Sequence, residues 1–164
     1  GQELGERGID AEGFSGLDGR TTIFDFWSVP SLRKWFTGKS SPRALELREF
    51  YSRILNLCKT MPALARGGMF DLMYVNPHLV HQYAFMRHHK NSVVLAVANF
   101  SSEDVHISVN IPEHAFNHIG ITQGDYISRE LITGDSKTMT LSSNIPWEVY
   151  IPAHNAVLWE FDKK

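Results

Sequence analysis

Glu3, Glu6, Asp10, Glu12 and Asp18 fall in one short stretch, interleaved with half of the chain's twelve glycines. Carboxyl groups gathered on a loop invite acid/base chemistry, and the reaction that depends most on a pair of them is glycoside hydrolysis. It needs two carboxyls about 5 Å apart when it retains configuration and roughly 6.5–9.5 Å apart when it inverts. Acids spread along a loop are more often a solvated surface, so Glu3 and Glu6 do chemistry only if a scaffold converges them. Such a loop is costly to order alone, since glycine loses the most backbone entropy on folding. It is expected to drape over a framework outside these residues.

Eight histidines form a second candidate set. His78 with His81, and His88 beside His89, stand at spacings that suggest metal-ligand pairs. Adjacent strand residues point to opposite faces, however, and no Cys or Asp completes a tetrahedral set, so surface histidines are the expectation. Aromatic residues crowd at Phe24, Phe26, Trp27, Trp35 and Phe36, and again at Trp147, Tyr150, Trp159 and Phe161. Sugar rings stack on such faces, but ordinary cores use them too. Trp159 and Phe161 share a strand face with Val157 and belong to the core, whereas Trp27 and Trp35 stand as sugar-stacking candidates. Cys58 is the only cysteine, which excludes an internal disulfide, and it sits on an apolar helix stripe. Neither a Gly-x-Ser-x-Gly elbow nor a phosphate-binding glycine pattern occurs.

The elements that must position these residues follow from periodicity. Ser41-Pro42 opens a helix, because a serine oxygen accepts an orphan amide bond and proline at the first helical position sacrifices none. Leu47, Tyr51, Ile54, Cys58 and Met61 then recur at spacings of four and three, widened by Phe50 and Leu57, so one face must be buried. Pro62 and Gly67-Gly68 end the run. Beyond Gly68 the period falls to two, clearest where Val105, Ile107, Val109 and Ile111 alternate with His106, Ser108 and Asn110. Similar runs lie at 83–87, 92–100, 126–132, 138–141, 148–151 and 156–161. His89-Lys90-Asn91, Gly124-Asp125, Gly134-Asp135 and His154-Asn155 supply the turns. Strands that follow one another with no helix between them favour an antiparallel sandwich.

The 164 residues suffice to bury one or two real cores. With 43% hydrophobic and 21% charged residues the chain reads as globular. A net charge of −2 argues against a nucleic-acid or acidic-membrane partner, and no apolar run is long enough to span a bilayer.

GQELGERG at 1–8, DGRTTIFDFW at 18–27 and MPALARG at 61–67 together resemble the end of an α-amylase-family glycoside hydrolase. Gly1 to Gly5 look like the Gly-x-Glu element after the last strand of that family's (β/α)8 barrel. DGRTTIFDFW is similar to the loop that follows, and the helix before Gly67 resembles the last barrel helix. YAFMRHHKNSVVLAVANFS at 83–101 looks like the opening hairpin of the C-terminal domain, ending in Asn99-Phe100-Ser101.

The resemblance implies a mainly β fold: residues 1–68 as a remnant of the last barrel unit (loop 1–40, helix 41–65), then an antiparallel Greek-key β-sandwich over 69–164. It implies retaining hydrolysis of α-1,4-glucans by the intact enzyme, through a catalytic barrel missing from this chain. The family's three catalytic carboxylates belong to earlier barrel strands and none maps here, so this segment is expected to be inert alone. Glu3, Glu6, Asp18 and Arg20 are the candidates for the substrate-side rim, where barrel active sites are built. Calcium is an expectation for the intact enzyme only. A stand-alone carbohydrate-binding or interaction module is the alternative, and the helix stripe, if uncovered, favours self-association.

Overall fold

A computed structural model describes residues 1–6 and 30–163. Asp18, Arg20 and Trp27 therefore lie outside the described residues. The chain divides into two compact units, Gly1–Asn56 and Leu57–Lys164.

The first unit holds a single 3-10 turn at Gln2–Leu4, helix α1 (Pro30–Phe36) and most of helix α2 (Pro42–Thr60). Helix α1 corrects the expectation of an unbroken loop to residue 40. Its signal was Pro30 at the first helical position, but seven residues are too few for periodicity to register. Ser41 opens α2 as expected: its Oγ accepts the Ala44 N–H at 3.3 Å.

No residue of α2 is fully buried, which corrects the expectation that its apolar stripe must be. Leu47, Tyr51, Ile54 and Leu57 are half-covered, while Leu55 and Cys58 are exposed. A stripe states that a face needs a partner, not that the partner lies within the same residues. The helix stops at Thr60 because a residue before proline is driven from the helical region, and Met61 is extended at φ −89°, ψ 115°. Pro62 then opens α3 (Pro62–Arg66).

The second unit is an antiparallel sandwich. Its strands are β1 (Gly68–Asp71), β2 (Gln82–His89), β3 (Ser92–Asn99), β4 (Val105–Val109), β5 (Gly124–Glu130), β6 (Ser136–Leu141), β7 (Trp147–Ile151) and β8 (Ala156–Asp162). Six of them form one sheet in the order β1-β2-β3-β8-β5-β6, and β4 with β7 form the other. The chain crosses between sheets at β3–β4, β4–β5, β6–β7 and β7–β8, so neither sheet can form from consecutive strands alone. Inward residues of both sheets, including Met86, Leu95, Val97, Val109, Leu141, Ile151, Trp159 and Phe161, share one core. Strand β3 is buried on both faces from Val93 to Val97. Its second face is covered by Ala63, Leu64 and Met61, which pack with Val94, Leu131 and Leu158. That explains an apolar run with no alternation.

Two elements of this unit went unread. Helix α4 (Glu113–Ile119) lies between β4 and β5 and closes the core with Ala115, Phe116 and Ile119, correcting the expectation of strands without an intervening helix. Gly120 ends it at φ 73°, its N–H reaching the Phe116 carbonyl at 2.9 Å. Strand β1 was hidden because Gly67-Gly68 read as a helix stop. Those glycines in fact permit close approach. A Cβ on Gly67 would sit 2.3 Å from the Ala63 carbonyl oxygen and 2.5 Å from that of His88.

Three buried polar side chains fix the loops. Asn76 Oδ1 accepts the Asn110 N–H at 2.7 Å, and its Nδ2 donates to the carbonyls of Leu72 and Asn110. Asn99 and Glu130 do the same for other junctions, with consequences taken up below.

Candidate functional site

Two of the predicted rim residues are described, and both belong to the first unit. Glu3 lies on the 3-10 turn and is half-buried. A backbone hydrogen bond holds its carboxyl below the usual range against a smaller opposing effect of desolvation, with Arg48 adding the least. Glu6 turns instead to α1, where it accepts the Ser31 N–H at 2.7 Å.

Glu6 lines an open cleft of about 400 Å³ together with Ser31, Lys34, Lys39 and Ser40. The Oγ atoms of Ser31 and Ser40 are shielded from solvent and have no hydrogen-bond partner among the described residues. Glu6 is the one carboxylate among the described lining residues, and Glu3 is not part of the lining, so the pair that glycoside hydrolysis needs does not converge here. Sequence reasoning missed Ser31, Lys34, Lys39 and Ser40. The available signal was Gly38 between two helix-opening prolines, which folds 30–41 back on itself with Gly38 at φ 67°.

Trp35, the described sugar-stacking candidate, has its ring covered. The Arg48 guanidinium lies 4.3 Å from the ring centroid and Phe36 packs at 4.9 Å. This cation–π contact takes up one face of the half-buried ring.

The histidines separate as the strand period requires. His78 bonds the Ser108 carbonyl at 2.9 Å through Nε2. His88 points inward from β2, against Gly68, where a Cβ would lie 2.5 Å from its Nε2. Helix α4 supplies His114 and His118, four residues apart on one face. Phe70 packs on both rings, His118 meets His88 edge-on at 5.9 Å, and His114 bonds the Tyr74 hydroxyl. Among the described residues no three His, Cys, Asp or Glu side chains converge on a metal position. No described helix is long and apolar enough to cross a membrane.

His88 should make the sandwich acid-sensitive. Its Nε2 is shielded and unpartnered, and burial, followed by the charges of Lys163, His118, Arg87 and His89, pushes its pKa below the ordinary 6.5. A depressed histidine pKa means that the unfolded chain takes up the proton first as pH falls. Stability is fully present above about 6.5 and is lost as pH drops from there toward the lower folded value. Melting followed by circular dichroism between pH 7.5 and 5 should show the midpoint falling, and His88→Phe should flatten that slope. An unchanged slope in the variant would assign the acid sensitivity elsewhere.

No family model and no curated protein sequence matches the chain. Solved structures do match its fold. AmyP in complex with maltose matches over 87% of this chain with a TM-score of 0.54 at 14% identity, and the match occupies 24% of that chain. The α-amylase of Geobacillus thermoleovorans complexed with acarbose matches over 77%, with a TM-score of 0.53 at 14% identity, using 24% of its own length. The noncanonic maltogenic α-amylase AmyB of Thermotoga neapolitana matches over 73%, with a TM-score of 0.54 at 12% identity, using 26% of its length. At such identities the likeness is one of fold. The chain has the fold of a portion of α-amylase-family glycoside hydrolases, consistent with their C-terminal part. It spans about a quarter of the length of the structures it matches.

Proposed function

We propose that this chain is the C-terminal segment of an α-amylase-like glycoside hydrolase acting on α-1,4-glucans, and that it supports a catalytic barrel without catalysing hydrolysis itself. One observation carries the reading: the fold match takes in 87% of this chain but only 24% of the amylase it resembles. The cleft adds to it, since it brings Glu6 together with hydroxyls and lysines and not with a second described carboxylate. The support is assigned to the outer face of the large sheet, where α3 already packs on Val94 and Leu158. Tyr83 and Phe85, with ring centroids 5.7 Å apart, extend that face from β2. The half-covered stripe of α2 is a second surface for the barrel, and in the isolated chain it is the surface for self-association. Incubated with starch or maltoheptaose, the chain should release no reducing ends. Turnover that survives removal of contaminating amylase would overturn the reading.

A further inference from the structure

Helix α4 closes one end of the core with Ala115, Phe116 and Ile119, yet it lies outside both sheets and is held by side chains. At its first turn His114 bonds the Tyr74 hydroxyl. At its last turn His118 packs on Phe70 with ring centroids 5.6 Å apart and meets His88 edge-on at 5.9 Å and 84°. The Lys163 ammonium donates to the Ile119 carbonyl, capping the helix. His88 is confined from the other side. It pairs with Gly68 of β1, and a Cβ on that glycine would lie 2.5 Å from Nε2. That nitrogen is shielded from solvent and has no hydrogen-bond partner among the described residues. The groups that face the ring are basic: Lys163 beyond β8, His118 on α4, and the chain neighbours Arg87 and His89. Arg87 itself donates to the Ala63 and Leu64 carbonyls of α3. The nearby acids point elsewhere. Asp71 of β1 accepts the Met73 N–H, Glu113 stands in the first turn of α4, and Asp162 lies in the row of Ser92 and His89, on the opposite face. On β3 the residue beside His88 is Val93.

We propose that protonation of His88 detaches the last turn of α4 from β1 and β2 and opens this end of the core while the two sheets stay paired. The helix moves because nothing else can: β2 is hydrogen-bonded on both edges, to β1 and β3, and Gly68 closes the space behind the ring. A proton on His88 gains no carboxylate among the described residues and faces cations instead. His114 keeps Tyr74 in either charge state, since a protonated imidazole donates to the phenol oxygen, so the first turn is the hinge. Off the sandwich a seven-residue helix does not sustain its own hydrogen bonds, so detachment melts it and bares Phe116 and Ile119. The event is local, distinct from the lower melting point expected of the whole sandwich. Its sign follows from burial, which with the neighbouring cations holds the His88 pKa below the ordinary 6.5. The open form, with the ring in water, takes up the proton first as pH falls. Closure is fully present above about 6.5 and weakens below it, by up to about ten-fold between pH 7.5 and 5.5 for one histidine.

The test uses the whole chain and follows amide hydrogen exchange by NMR, each rate corrected for its intrinsic pH dependence. Gly120 and Ile121, whose N–H groups bond the Phe116 carbonyl, should be less protected than Leu95 and Val97 of β3 at every pH. Their protection should start to fall near pH 6.5, drop several-fold by pH 5.5, and level off where the His88 ring itself titrates. Urea at 1 M should hardly change exchange at Gly120 and Ile121 while speeding that of Leu95 and Val97 about five-fold, because only the latter needs global unfolding. His88→Phe, which keeps a ring against Gly68 but takes no proton, should abolish the pH response, and His114→Gln should retain it. The parent's own exchange and ring titration decide the matter even where a variant does not fold. Protection at Gly120 and Ile121 that changes by less than about two-fold with pH, that equals that of β3, or that follows urea as steeply would overturn the proposal. So would a pH response that survives His88→Phe or vanishes in His114→Gln.

Discussion

Replacing Asn99 by alanine should cost the sandwich about 3 kcal/mol, because it unpairs several buried groups at once. Asn99 is 2% exposed at the end of β3. Its Nδ2 donates to the carbonyl of Glu103 at 2.9 Å and to that of Pro152 at 3.1 Å. Its Oδ1 accepts the Ser101 N–H and the Gln82 amide, each at 3.0 Å. Glu103 leads into β4 and Pro152 leaves β7, so one side chain clamps the large sheet to both strands of the small one. Thermal melts should shift down by roughly 10 °C. Asn99→Asp is the sharper variant. It keeps the size but turns both donors into acceptors, so the two carbonyls face a carboxylate and the cost should match that of alanine. Phe100, the next residue, is 69% exposed, and Phe100→Ala should stay within about 0.5 kcal/mol. An Asn99→Asp melt within about 1 kcal/mol of the parent would show that packing, not hydrogen bonding, holds the junction.

Asn99 also shows where sequence reasoning works and where it stops. The alternation from Val105 to Val109 named β4 and its buried face, because a period of two with one side in water leaves one set of residues to face the core. The helix start at Ser41-Pro42 and the turn at His89-Lys90-Asn91 were legible for a local reason. Lys90 does take a positive φ of 52°, as a two-residue connection requires. Strand β1 and helices α1 and α4 are four to seven residues long, shorter than the window in which a period can be counted. The site was less legible than the fold. Glu6 reaches Ser31 across twenty-five residues, and Arg48 covers Trp35 from a different helix. Neither contact leaves a local trace.

The same limit applies to Glu130, whose replacement by alanine should be the most damaging polar change in the sandwich. Strand period puts it on the inward face with Tyr126 and Ser128, where an acid is out of place by type. It is 3% exposed and accepts three backbone N–H groups: Ile132 at 2.8 Å and Thr133 at 2.5 Å on Oε2, and Leu158 at 2.8 Å on Oε1. The three amide dipoles solvate the carboxylate in place of water. Alanine leaves all three donors buried and opens a void, for about 4 kcal/mol. Glutamine preserves the shape but must turn its NH2 toward one set of N–H donors, for roughly half that cost. The adjacent Arg129–Glu160 pair provides the contrast. It is a good ion pair at 3.0 Å, but Arg129 is 61% exposed, so Arg129→Ala should move stability by less than about 1 kcal/mol. Urea denaturation of the three variants should rank them Glu130→Ala, Glu130→Gln, Arg129→Ala in decreasing cost. If the arginine change proved as costly as the loss of Glu130, the turn after β5 would be held by surface charge and not by the buried acceptor, and the account of that corner would have to be abandoned.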